Sequence, residues 1–502
     1  MATKKKINYK TLLSAERQRT STGPESRTLS MQASSDKGRV MFSSNFRRLQ
    51  SKTQVFAQDW NASVRTRLTH SLEVASIGRY LAEKISDKLL ADGKLGKLAS
   101  PATRDRANAF ITFVEVACLL HDLGNPPFGH FGEASIREWF ALKQTTYAEN
   151  IATDLEAEFN KLYGDFIHFD GNPQGFRIAT RLQWVTDEYG YNLTYTQLAA
   201  TLKYPWTPDV IGSQVDGEKA KKAGVFFSEE ETLVKLQKAL SLPPKSRHPL
   251  AYIMEAADDI SYCLSDIEDA LEKKVVRDHD VVAALRDKLN VVATRHNKYT
   301  KLLLDALPPE GSAIDGGAWF VRFRTAVTNT LVERASQLYF SPVLQKKIAN
   351  GTYFSLLRRS IAAKALLAVI TEFSNENLYC SSSVRERELV GHQVITGILD
   401  KFGILLNLNT TEAEALLLER KNPKALGMAL APTLNSFLPK KHLKAYAHEV
   451  NRLKTKGYSV EQYRIYEWFA RAHLIIDFLS GMTDDFAIVT YRRLYDGGIG
   501  KI

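Results

Sequence analysis

In the stretch Leu119-Leu120-His121-Asp122-Leu123-Gly124-Asn125-Pro126-Pro127-Phe128-Gly129-His130-Phe131-Gly132-Glu133, two imidazoles and two carboxylates crowd around a helix end. Neutral imidazole and carboxylate together are the ligands expected for a divalent cation that assists hydrolysis. A second histidine upstream, His70 in Arg67-Leu68-Thr69-His70-Ser71, and a double aspartate downstream, Asp258-Asp259, extend the set. His121 and Asp122 are adjacent, so on a regular helix they point about 100° apart. They converge on one ion only where other ligands fill the notch between them, and a helix ending at Gly124 leaves that room. With His70 and Asp258, two imidazoles and two carboxylates suit Mn2+, Fe2+, Mg2+ or Zn2+ and keep positions open for water and a phosphate oxygen. Taken alone, His70 reads more simply as a hydrogen-bonded core histidine.

His130 and Glu133 lie three apart at the start of the next helix. A carboxylate one turn from a histidine orients the ring and holds its proton, which makes it a usable acid or base near neutral pH. Glycines 124, 129 and 132 permit close backbone approach to a ligand, but no GxxxxGK[ST] pattern accompanies them. Phosphate binding must therefore rest on metal and side chains, for which Arg65, Arg67, Lys203 and Tyr204 are candidates. Downstream, Asp258, Tyr262 and Asp266 recur every four residues and form one stripe beside an apolar one (Leu250, Ile253, Ala257, Ile260, Leu264, Ile267, Leu271). A metal at Asp258 and a ligand beside Tyr262 and Asp266 would satisfy these polar groups. A solvated acidic face carrying an amphipathic tyrosine fits the same spacing.

Helical periodicity positions these residues, and strand-like alternation is scarce: the fold class is all-α. Helices are expected over Ser71–Leu90, Asn108–Leu123, Pro249–Val276 and Ser459–Met482, with shorter ones from residue 280 to 453. Gly124 followed by Pro126-Pro127 stops the second. Residues 166–175 read as a turn-rich loop, and Pro205–Gly224, rich in Pro, Gly and Lys, as an exposed segment. No internal repeat is visible.

The composition, 44% hydrophobic and 25% charged over 502 residues, is that of an ordinary globular protein. Three widely separated cysteines provide neither a disulfide framework nor a cysteine zinc site, which favours a reducing cytoplasm. No apolar stretch follows Lys4-Lys5-Lys6, and no run approaches the ~18 apolar residues of a membrane span. The net charge of +11 favours anionic partners, nucleotide or nucleic acid, without choosing between them.

The residues carry a resemblance. His70, His121-Asp122 and Asp258 match the H…HD…D pattern of the HD-domain metal-dependent phosphohydrolases. More narrowly, Arg47–Phe56, Arg65–Ser71 and His121–Glu133 resemble the bacterial deoxyguanosine triphosphate triphosphohydrolases. Phe169–Gly175, Met254–Cys263 and Ser480–Asp484 extend the likeness. It implies cleavage of a deoxynucleoside triphosphate at the α-phosphorus, giving deoxynucleoside and tripolyphosphate. It also implies His70, His121, Asp122 and Asp258 as ligands of Mn2+ or Mg2+, and His130 as catalytic histidine with Glu133 as its partner. By the same likeness Gln54 and Asp266 contact the sugar 3′-hydroxyl, and Tyr262 packs on the deoxyribose and excludes a 2′-hydroxyl. Arg67, Asn172, Lys203 and Tyr204 surround the phosphates, and Glu388 and Arg420 read the base. Expected organisation is an extension over 1–40, an HD phosphohydrolase domain over 41–276 and a C-terminal helical region over 277–502 that completes the pocket and makes oligomer contacts. Expected partners are the dNTP, other copies of the chain (a hexamer is favoured) and single-stranded DNA. Two rival readings remain at this point: an HD-type phosphodiesterase or monophosphatase, and a basic single-stranded nucleic-acid-binding protein with a structural metal site.

Overall fold

The computed structural model of the chain describes residues 6–54 (except 22 and 25), 63–183 (except 150), 187–293, 297–314, 317–379, 382–419 and 430–495. Among these, helices account for nearly all regular structure, and the exception is a two-residue hairpin, Gln214–Val215 with Glu218–Lys219. The all-α expectation holds. Boundaries follow local chemistry. The helix Arg67–Ala91 opens on a reciprocal capping box between Thr66 and Thr69. Pro101 occupies the first turn of Pro101–Leu120, where its missing N–H costs nothing, so this helix begins before the expected Asn108.

Three helices, Arg67–Ala91, Pro101–Leu120 and Pro249–Glu272, pack on one another through their apolar stripes. Their closest crossing is at Gly78, where any side chain would overlap Cys118 Sγ and approach Ala257. Small residues there let three backbones approach closely, and His70, His121 and Asp258 stand near that crossing, one from each helix or its end.

The apolar residues form two large cores that interleave along the chain. The first gathers these three helices with much of 278–378, including Trp319, Phe323 and Ile370. The second joins Gly129–Ala148 and Glu156–Ile167 to C-terminal helices through Phe140, Phe166, Phe402, Ile476 and Leu479. Leu123 belongs to the first core and Ile136 to the second, so the histidine-rich stretch is where the chain crosses between them.

Two expectations need correction. Residues 166–175 are mostly helical, since Asp170 caps the helix Gly171–Arg177 by accepting from the Asn172 N–H at 2.9 Å. The segment Pro205–Gly224 is exposed only in part: Trp206, Val210, Val215, Ala220 and Ala223 are buried in a small apolar cluster of their own, while residues such as Asp209, Gln214, Asp216 and Lys219 face solvent. By length and composition alone one window, Arg385–Asn407, could cross a membrane, but it packs into the interior of the protein. Just over half of that window, 56%, is buried, and Ile395, Ile398, Leu399 and Phe402 face the second core.

The helix Pro249–Glu272 is capped by a histidine. His248 Nδ1 accepts from the Leu250 N–H at 3.3 Å, so the ring proton is on Nε2, 3.0 Å from the Leu12 carbonyl oxygen. Both nitrogens are used by the neutral ring, and burial lowers its proton affinity from 6.5 to about 4. Between these values the unfolded chain binds a proton that the folded chain refuses, so stability falls as pH drops from 6.5 towards 4. Complete loss of this contribution is worth about 3 kcal/mol. His248→Asn keeps a capping acceptor and removes the titration. Urea unfolding at pH 7 and pH 5 is expected to show a smaller acid loss in the variant, and equal losses would exclude His248 as a source.

Candidate functional site

His70 lies in the first turn of Arg67–Ala91, and His121 caps the C-terminus of Pro101–Leu120. Their rings meet edge to face at 5.4 Å. Both Nε2 atoms stand 3.4 Å from Asp258 Oδ1, and the donor atoms of all three residues lie within 4.8 Å of one another. The Cys118 carbonyl accepts from His121 Nδ1 at 2.6 Å, which leaves the Nε2 lone pair facing inward. That Nε2 is buried with no hydrogen-bond partner, as is Nδ1 of His70. The orphaned His121 Nε2, with His70 Nε2 facing the same Asp258 oxygen, fits a divalent cation.

Asp122 borders this trio. Its Oδ1 is 3.5 Å from His121 Nε2 and accepts from Asn125 Nδ2 at 2.7 Å, while Oδ2 accepts from Arg67 at 2.8 Å. Lys203 Nζ is 2.5 Å from Asp258 Oδ2. Burial opposes charge on both aspartates, but their neighbours win: His121 and Arg67 hold Asp122 below the usual carboxylate range, and Lys203 does so for Asp258. The same balance raises Lys203, whose burial is outweighed by Asp258. His121, Asn172 and Lys203 line one small cavity of about 20 Å³, room for a single water-sized group.

Beyond the trio the chain turns sharply. A side chain at Gly124 would collide with the backbone of Gly171 and Gly175, so the metal loop lies directly on the helix Gly171–Arg177. Phe128 adopts the left-handed conformation (φ 60°), which costs a bulky residue roughly 1–2 kcal/mol. Asp484 holds it there, accepting from the Phe128 N–H at 3.1 Å and from Thr53 Oγ1 at 2.6 Å. The helix Gly129–Ala148 then starts and presents His130 to solvent, its side chain 73% exposed. Glu133 is buried beneath it. One oxygen is 2.8 Å from His130 Nδ1, and the other accepts from the Gly171 N–H at 2.8 Å. Burial disfavours charge on Glu133, yet His130 and that N–H hold its carboxyl below its ordinary value. With Nδ1 tied to the carboxylate, Nε2 is left for chemistry. His130 and Glu133 open on a cavity of about 390 Å³ shared with Arg137, His168, Lys221 and Lys222.

Other sequence candidates have mixed placements. Gln54 is half-buried with Nε2 lacking a partner. Tyr262 is 42% exposed, and Asp266 is buried. The Tyr204 ring meets Tyr353 at a tilt, 5.8 Å away, and Trp206 edge to face at 5.9 Å. Arg65 is committed to three carboxylates, Glu73, Glu268 and Asp269, and clamps the start of the His70 helix to the Asp258 helix. Glu388 is half-exposed on Ser382–Phe402 with no hydrogen bond or ion pair among the described residues. Arg420 lies outside the described residues. Sequence reasoning passed over Asn125, Tyr379, Arg137, Lys221 and Lys222. The lysines lay in a run read as exposed surface, and Asn125 lay inside the quoted motif without a role.

A helical bundle that gathers two histidines and an aspartate from separate helices is the frame of an HD domain, and residues 67–168 match that family. An HD domain implies divalent-metal binding. The deoxyguanosinetriphosphate triphosphohydrolase of Yersinia enterocolitica serotype O:8 is 35% identical over 487 residues, covering 92% of this chain and 93% of the relative. That of Salmonella enteritidis PT4 is 35% identical over 497 residues, 92% of each chain. The chain belongs to the deoxyguanosinetriphosphate triphosphohydrolase family.

Asn125 tests the metal site without touching a ligand nitrogen. Asn125→Ala removes the bond that orients Asp122 and is expected to weaken Mn2+ binding roughly 10- to 100-fold, read by electron paramagnetic resonance titration. Unaltered affinity would show that Asp122 is held by Arg67 alone.

Proposed function

We propose that the chain is a metal-dependent deoxynucleoside triphosphate triphosphohydrolase that converts dGTP and water to deoxyguanosine and tripolyphosphate. The observation that carries the reading is the His70–His121–Asp258 trio next to the buried-carboxylate dyad His130–Glu133. A divalent cation, Mn2+ or Mg2+, held by His70, His121, Asp122 and Asp258, supplies positive charge to the α-phosphate oxygens.

The chain's own residues do the rest. Lys203, beside Asp258, and Arg67, beside Asp122, add fixed positive charge within reach of the phosphates, with Asn172 and Tyr204 around them. Arg137, Lys221 and Lys222 make the cavity beside His130 suited to the departing tripolyphosphate. His130 moves the proton: it takes one from the attacking water or gives one to the sugar 5′-oxygen as the bond from that oxygen to the α-phosphorus breaks. Glu133 keeps Nδ1 protonated, so Nε2 is the working atom in either case. On the sugar side, Gln54 and Asp266 are assigned to the 3′-hydroxyl and Tyr262 to the deoxyribose, and Glu388 and Arg420 to recognition of the base. The reading includes a homo-oligomer, with a hexamer favoured, a cytoplasmic location with its nucleotide pool, and single-stranded DNA as a further partner of the basic surface.

Incubation of the four deoxynucleoside triphosphates and GTP with Mn2+ or Mg2+, followed by anion chromatography, is expected to yield tripolyphosphate from dGTP. Orthophosphate in its place would move the chain to a monophosphatase, and no hydrolysis to a binding protein. His130→Ala is expected to keep Mn2+ and dGTP binding while losing about 10²- to 10⁴-fold in kcat. Undiminished kcat would remove His130 from the mechanism.

A further inference from the structure

Tyr262 and Asp266 project from the helix Pro249–Glu272 one and two turns beyond Asp258, on the same side. The side chain that joins them comes from elsewhere. Tyr379, just past the helix Ile361–Asn377, donates its hydroxyl to Asp266 Oδ2, and its oxygen lies 2.9 Å from Tyr262 Oη. A phenol has a single proton. Tyr379 spends its own on the carboxylate, so in the contact between the two tyrosines Tyr262 is the donor. The chain of bonds therefore has one direction, Tyr262 to Tyr379 to Asp266. Burial and then Asp266 push the Tyr262 phenol up to about 12, which keeps its proton in place at neutral pH.

This arrangement restrains both residues that the proposed function assigns to the sugar. The Tyr262 ring is tethered at its far end and cannot swing aside without losing a hydrogen bond. Tyr379 occupies Oδ2 of Asp266, which assigns Oδ1 to the incoming hydroxyl. The family likeness makes Tyr262 the group that excludes a 2′-hydroxyl, and the tether fixes the ring that does so.

We propose that Tyr379 is a positioning residue for sugar recognition, whose hydroxyl tethers Tyr262 and orients Asp266 so that the site favours deoxyribonucleotides over ribonucleotides. The inference rests on the triphosphohydrolase reading. Its mechanism is differential: the tether costs a deoxynucleotide nothing, and a ribonucleotide must break it.

The test compares kcat/KM for dGTP and GTP, with Mn2+, in the wild-type chain, Tyr379→Phe, Tyr262→Phe and the double variant. Tyr379→Phe keeps the ring and removes the tether, and the preference for dGTP is expected to fall about tenfold, the worth of one such bond. The change should appear mainly as a lower KM for GTP, with Mn2+ affinity and melting temperature unchanged, which a merely structural role would not produce. Tyr262→Phe removes the same bond from the other side and should lower the preference comparably, so a misfolded Tyr379→Phe does not shelter the idea. In the Tyr262→Phe background, Tyr379→Phe should change the preference little further. An undiminished preference in either single variant, or fully additive effects in the double, overturns the tether. A wild-type chain that releases no tripolyphosphate from any deoxynucleotide overturns the functional reading instead, and is recognised by that result alone.

Discussion

The site hangs on one buried ammonium group. Lys52 Nζ lies between the carbonyl oxygens of Asn125 and Ser480, the latter 2.7 Å away at the C-terminal end of the helix Val460–Ser480. Burial pushes its proton affinity down to about 7, with Asp484 pulling the other way. Among the described residues no carboxylate pairs directly with this cation, which is held by carbonyl dipoles and a helix end, where partial negative charge accumulates. Through Asn125 the ammonium steadies the side chain that orients Asp122. Through neighbouring Thr53 and Asp484 the same corner holds Phe128 in its left-handed turn. The separation between the metal trio and the His130–Glu133 dyad thus depends on a strut linking three distant segments, around residues 52, 125 and 480 to 484.

That strut stands where the two apolar cores meet. His121 belongs with the first core, whose helices cross tightly at Gly78, Cys118 and Ala257. Glu133 belongs with the second, and a C-terminal helix delivers Ser480 to the boundary. Each core secures one part of the chemistry by close packing, and polar bonds across the boundary set them against each other. The electrostatic design is consistent with this division. On the metal side, aspartates are kept ionised by Arg67 and Lys203 and both imidazoles turn Nε2 towards Asp258. On the acid–base side, a buried carboxylate fixes the proton of an exposed imidazole.

Much of this was legible in the chain. Imidazole and carboxylate are rare as interior groups without a partner, so His70, His121 and Asp258 on strongly apolar helices announced a shared purpose, and the structure brings their donor atoms together. His130 and Glu133 are one helical turn apart, a relation that local geometry alone enforces. Arg65 illustrates the opposite case. Its type suited a phosphate, but Glu73, Glu268 and Asp269 claim it, and two of those come from about two hundred residues away. Lys221 and Lys222 looked like solvated surface because their neighbours are polar, yet the buried Trp206 cluster draws that segment against the His130 cavity.

The sequence by itself determined what is local: an all-helical chain, its capping and breaking points, the donor types at each position, and the membership that its motifs declare. Only the tertiary structure decided which distant groups meet. Tyr379 reaches Asp266 across 113 residues, and Lys52 reaches Ser480 across 428. Helical periodicity specifies which face of an element is buried, but says nothing of which other element covers it. That choice is made by shape in close packing and by the requirement that every buried polar group find a partner, and both are properties of the whole fold.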